Sequence, residues 1–147
     1  MLNKVAHIRR DEELDMLAIL TEKTPNNQIG MSTQADTNLI LIVGRGIWTK
    51  AVLASHFSQL DHALQSKRRR FPTTRILCDV SERGEQSPEI LEAIRTGSGQ
   101  LYSATDRLVL VTSSSLMKMQ LRQQFEHDNI AYFVSVETAK TWLDAYQ

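Results

Sequence analysis

The chain has 147 residues, 41% of them hydrophobic and 23% charged, which suits one domain with a continuous core and leaves no room for two full ones. Seventeen Lys plus Arg balance seventeen Asp plus Glu, so no global field draws the chain toward nucleic acid or anionic lipid, and a charged partner must meet a local patch. A single cysteine, Cys78, excludes an internal disulfide framework and a cysteine-based zinc site and fits the cytoplasm. No apolar run reaches the roughly 18 to 20 residues that span a bilayer, and Asp11, Glu12, Glu13 and Asp15 lie where a signal peptide needs an uncharged core, so membrane insertion is not expected.

Leu14, Leu17, Ala18 and Leu20 make an acid-rich amphipathic stretch that the breakers Thr24-Pro25-Asn26-Asn27 end. Residues 1–27 therefore read as a helical extension plus linker, with residues 1 to about 24 dispensable for folding, and residues 28–147 as the domain. Ile29 and Met31 fit a first edge strand that turns over residues 34–38. Leu39-Ile40-Leu41-Ile42-Val43 is a continuous apolar run closed by Gly44-Arg45-Gly46, the signature of a strand covered on both faces. Thr49 can cap a helix whose Leu53, Phe57, Leu60 and Leu64 form one stripe of a 3.6-residue period and which ends near Lys67-Arg68-Arg69-Arg70.

Pro72 blocks continuation, and residues 75–80 form a second buried strand with Cys78 inside it. Ser87 as N-cap, Pro88 at the first helical position and Glu89 in the first turn open the next helix. Its Ile90, Ile94, Gly97 and Leu101 repeat the stripe, with Gly97 and Gly99 allowing close packing or a kink. A strand over 107–112 leads through Ser113, Ser114 and Ser115 into a helix carrying Leu116, Met117, Met119, Leu121 and Phe125. A strand over 130–134 follows, and Ser135 caps a last helix with Val136, Ala139, Trp142, Leu143 and Tyr146 inward. Strand then helix, four times, predicts an α/β fold: a mixed, mainly parallel four- to five-stranded sheet with flanking helices and an antiparallel edge strand. The expected core includes Leu41, Val43, Leu53, Leu60, Leu77, Leu110 and Trp142.

No motif marks a reaction. Gly44-x-Gly46 begins like a dinucleotide fingerprint, but Thr49 stands at the third glycine position and Trp48 would crowd a pyrophosphate, so the glycines read as turn geometry. His7, His56, His62 and His127 lie in different elements, and the one close pair, His56 and His62, is spaced by six residues, which puts them on different sides of a helix; they read as solvated, with no metal and no cofactor implied. No G-x-S-x-G elbow activates a serine, and Cys78 reads as packing. The run 67–70 beside Phe71 complements a helix C-terminus and reads as solvated, so no nucleic-acid partner is expected.

The better candidate is the carboxyl edge of the parallel strands, where such sheets bind ligands. Asp79 and Ser81 fall at one strand end, and Ser87 opens a helix. Ser113, Ser114 and Ser115 open another, and Lys118 and Arg122 share one face of it. Two helix N-termini with hydroxyls beside a basic pair suit an anionic ligand or an acidic partner surface.

Several segments resemble the domain shared by sulphate transporters and anti-sigma-factor antagonists, abbreviated STAS, and are most similar to small stand-alone bacterial proteins of that type. They are Gly46-Ile47-Trp48-Thr49, Leu77-Cys78-Asp79-Val80-Ser81, Gln86-Ser87-Pro88-Glu89, Asp106-Arg107-Leu108 and residues 139–143. In the phosphorylatable antagonists a strand ending D-x-S precedes a helix opening D-S-[ST]-G whose serine a partner kinase phosphorylates. Asp79-Val80-Ser81 matches the first half, whereas Ser87-Pro88-Glu89-Ile90 departs from the second and offers Ser87 about one position from the expected place. A phosphate there would still sit on a helix N-terminus.

The resemblance implies a cytoplasmic, non-catalytic regulatory or protein-interaction module that binds another protein through the loops after its parallel strands. The alternative is a carrier of a small apolar or anionic ligand, held in a pocket between helix and sheet lined by residues such as Phe57, Ile94 and Leu101. A homodimer is left open.

Overall fold

The run Leu39 to Val43 offers water neither face, and in the computed structural model, which describes residues 11–124 and 129–147, all five residues are buried. They form β2 (Leu39–Gly46), preceded by α1 (Glu12–Lys23) and β1 (Ile29–Thr33). Then come α2 (Lys50–Arg70), β3 (Thr74–Arg83), α3 (Pro88–Leu101), β4 (Asp106–Val111), α4 (Ser115–Gln124), β5 (Ile130–Phe133), α5 (Val136–Leu143) and a 3₁₀ turn over Asp144–Tyr146. Phe125, expected on the inner face of α4, lies outside the described residues, as do His7 and His127.

Among the described residues the strands form one five-stranded sheet in the order β1-β2-β3-β4-β5. β1 runs antiparallel to β2 and the other pairs are parallel, as the pattern predicts. Each crossover steps to the next strand in the same direction, and a constant hand then puts α2, α3 and α4 on one face. Alternation supplies both faces with apolar residues. Leu41, Val43, Leu77 and Val109 pack with Leu17 and Leu20 of α1 and Leu143 of α5, whereas Ile40, Ile42, Ile76 and Leu108 pack with Leu60 and Leu64 of α2.

The caps are the expected ones. Thr49 Oγ1 accepts from the Val52 N–H at 3.2 Å, Ser87 Oγ from Ile90 at 3.3 Å and Ser135 Oγ from Thr138 at 3.3 Å.

Four local expectations change. β3 continues to Arg83 because a register shift between Val43 and Arg45 in β2 lets Arg45 and Gly46 pair with Glu82 and Arg83, so Asp79 and Ser81 sit inside a strand. Leu110 and Trp142 are half-buried, because each borders a cavity. The basic run is not uniformly solvated: Lys67 is buried and donates to the carbonyls of Gln34 and Thr37, and Arg68 pairs at 2.6 Å with the fully buried Asp106. Finally, α1 is packed onto the sheet. Leu17 and Leu20 belong to the core, and Glu13 pairs with Arg75, itself buried in β3.

Candidate functional site

The face under α2, α3 and α4 is not filled. Ile42, Gly44, Cys78, Val80, Leu108 and Leu110, successive same-face positions of β2, β3 and β4, floor a cavity of about 770 Å³. Leu53, His56 and Phe57 of α2 and Ile94 and Ser98 of α3 wall it, and it extends past Ser103, Arg107 and Asn129 to Trp142 and Tyr146.

Two glycines set how closely its walls approach. A Cβ on Gly97 would lie 2.4 Å from Phe57 Cε2, so α3 lies close against α2 there, and of the α3 residues only Ile90 is buried. A Cβ on Gly44 would lie 2.5 Å from Trp48 Cζ2; without it the indole seats over β2 and donates from Nε1 to the Arg45 carbonyl at 2.9 Å. Gly46, the last residue of β2, adopts φ +72°, which glycine tolerates, so both glycines lie at the end of the strand beside its register shift and not in a turn, and each has a structural reason.

The volume is that of a small-molecule site, and the floor is apolar. Two titratable groups on it are neutral at neutral pH. Burial pushes the Cys78 thiol up to about 12, with Asp79 adding to the rise and Arg83 opposing it, which disfavours the thiolate. Burial pushes His56 down to about 4, which replaces the expected solvated histidine with a half-buried neutral one; His62 is exposed as expected. Sequence reasoning had no signal for His56, because its helix face depends on how far α3 stands from the sheet.

The His56 shift has a testable sign. Its folded value, about 4, lies below the ordinary 6.5, so the unfolded chain takes up the proton first as the pH falls. Stability should therefore decline between about pH 6.5 and pH 4, by at most about 3 kcal/mol, and His56→Leu should flatten that window in urea titrations. An equal decline in the variant would assign it to other groups.

None of the residues expected at the carboxyl edge lines the cavity. Asp79 and Ser81 alternate with the floor residues Cys78 and Val80, and the Asp79 carboxylate accepts from the Ser81 N–H at 3.0 Å. Asp79 pairs in register with Val111, the last residue of β4, so the turn 112–114 leaves the sheet beside it.

Ser114 Oγ accepts from the Met117 N–H at 3.2 Å and is the cap of α4; Ser113, Ser114, Ser115 and Ser87 are all exposed. Lys118 is half-buried and Arg122 is exposed, its guanidinium 5.8 Å from the Tyr132 ring centroid. Among the described residues no group of three or more His, Cys, Asp or Glu is placed to hold a metal ion.

No family model and no curated protein matches the chain. Among solved structures it is similar to an uncharacterized DUF3478-family protein with a SpoIIAA-like fold from Shewanella loihica PV-4. The TM-score is 0.64 at 16% identity, covering 82% of this chain and 97% of that one. It is also similar to an anti-sigma factor antagonist from Mycobacterium paratuberculosis, with a TM-score of 0.51 at 10% identity, covering 82% of this chain and 98% of that one. At these identities the likeness is one of fold: the chain has the SpoIIAA-like, STAS-like architecture.

Proposed function

We propose that the protein is a non-catalytic regulatory module that works in the cytoplasm by binding another protein at the carboxyl edge of its sheet. The observation that carries this reading is the capping pattern: α3 and α4 both open with exposed serines, Ser87 and Ser114, whose hydroxyls hold the first-turn N–H groups at that edge. Lys118 and Arg122 give α4 positive charge toward an acidic partner surface. The fold likeness to an anti-sigma factor antagonist supports a protein partner.

The Asp79 carboxylate accepts from its own strand's Ser81 N–H, which supports a structural role for it over acid–base work. Among the described residues no helix is long and apolar enough to cross a membrane.

Lys118→Ala with Arg122→Ala is expected to lose a partner that the parent chain retains in a pull-down, while the unfolding free energy from urea titration stays within about 0.5 kcal/mol of the parent. An unchanged partner would remove the basic pair from the surface. Turnover of any substrate that Asp79→Asn abolishes would overturn the non-catalytic reading.

A second reading is favoured by a specific observation, the cavity of about 770 Å³ with its apolar floor. A small-ligand carrier would use it. Of the pocket residues expected from the sequence, Phe57 and Ile94 line the cavity, whereas Leu101 packs with Leu60 and Leu64 instead.

A further inference from the structure

The cavity wall is charged with one sign. Among the described residues it includes three arginines, Arg83, Arg95 and Arg107, and no aspartate or glutamate, in a chain whose formal charges sum to zero. Two of the three are engaged. Arg95 pairs with Glu92 at 2.5 Å, and Arg107 donates to the carbonyls of Ala104 and Asp106 with its guanidinium 4.9 Å from the Tyr146 ring centroid.

Arg83 differs. Its Nε is buried with no hydrogen-bond partner, and among the described residues no carboxylate pairs with the guanidinium. Burying a cation's donor without an acceptor is costly, and the cost is relieved when an anion enters beside it. The rest of the floor asks for hydrocarbon, and Cys78 and His56 bring no competing charge at neutral pH.

We propose that the cavity binds a single-chain amphiphile with an anionic head, its carboxylate paired with Arg83 and its alkyl body lying over Val80, Leu108 and Leu110. This rests on the carrier reading and adds the head-group chemistry and the residue that selects it. Trp48 and Trp142, the two tryptophans of the chain, both line the cavity, so intrinsic fluorescence reports occupancy.

The test titrates the full-length protein with decanoate and with decan-1-ol, by calorimetry and tryptophan fluorescence. Decanoate is expected to bind about tenfold or more tightly than the alcohol, the ratio that a charged hydrogen bond supplies. Octanoate should bind more weakly, by about fourfold for each methylene removed. In Arg83→Met the acid should fall to the alcohol's affinity while the alcohol's own affinity stays, which also shows that the variant is folded. Leu110→Trp, which fills the floor, should abolish both.

Equal binding of acid and alcohol by the parent chain would overturn the head-group assignment and leave the carrier reading standing. Binding of neither would overturn both. An acid preference that persists in Arg83→Met would assign the head to another arginine, and undiminished binding in Leu110→Trp would put the amphiphile outside the cavity; either result sinks the proposal.

Discussion

A shortened chain beginning at Asn27 is expected to be unfolded at 25 °C, or less stable than the parent by about 5 kcal/mol or more in urea titrations followed by circular dichroism. The shortening removes α1, whose Leu17 and Leu20 are 3% and 9% exposed and pack against Leu39, Leu41 and Val43. Truncating one buried leucine costs about 2 to 5 kcal/mol, and total stability for a domain of this size is about 5 to 15 kcal/mol. Losing two such side chains together, and opening the sheet residues beneath them, consumes most of that margin.

Charge adds to the loss. Arg75 and Lys140, 2% and 3% exposed, would keep Asp144 but lose Glu13, and Lys140 would also lose Asp11. A difference below about 1 kcal/mol would instead make α1 a passenger and restore the boundary at residue 27. Leu17→Ala in the full chain separates the two contributions, since it removes apolar contact and leaves every ion pair in place.

The elements that could be read from the sequence are those whose causes are local. Leu39 to Val43 declares a doubly covered strand, Leu53, Phe57, Leu60 and Leu64 declare a helix face, and Ser87-Pro88-Glu89 declares a helix start within three residues. What escaped depends on partners far away in the chain. The acidic stretch at residues 11–15 looks like a solvated face until β3 supplies Arg75, 62 residues beyond Glu13, and α5 supplies Lys140, 129 beyond Asp11.

Pattern alone also marks Arg75 only as the polar first residue of an apolar strand. The cavity is hidden for the same reason. Gly97 was visible as a place for close packing, but that its neighbour is Phe57, and that α3 leaves the floor open, is a tertiary fact. Arg83 looks like any strand-end arginine, and that its Nε is buried without a hydrogen-bond partner appears only in three dimensions.

Arg75→Ala should cost about 3 to 5 kcal/mol, the range for breaking a buried ion pair from one side. The guanidinium donates from Nε to Asn38 Oδ1 at 2.7 Å, from both Nη atoms to Glu13 at 3.2 and 3.1 Å, and to Asp144 at 3.3 Å. Alanine leaves a void and four acceptor oxygens, on Asn38, Glu13 and Asp144, each short of a donor. Asn38 also ties the C-terminal turn to the start of β3, because its Nδ2 donates to the carbonyls of Thr73 and Tyr146 at 2.8 and 2.9 Å.

Removing both halves tests whether the missing charge or the missing volume dominates. Arg75→Met combined with Glu13→Met should be less destabilised than Arg75→Ala alone, since no buried carboxylate is left facing apolar surface. The pH profile gives an independent sign. Burial alone would raise the Glu13 carboxyl, but hydrogen bonds from Arg75 and Lys140 outweigh it and hold the group below its ordinary 4.5. Its stabilisation is therefore present above pH 4.5 and is lost as the pH falls through the lower folded value.

Burial opposes and the facing carboxylates favour the charged form of Lys140, whose folded value ends above 10.5; its share is complete below that pH and lost as the pH rises through the folded value. The double variant should thus show a shallower acid limb below about pH 4.5, while the separate decline between about pH 6.5 and 4 assigned to His56 persists. A double variant as unstable as Arg75→Ala, with the acid limb unchanged, would mean that Arg75 acts through its packing volume and not through Glu13.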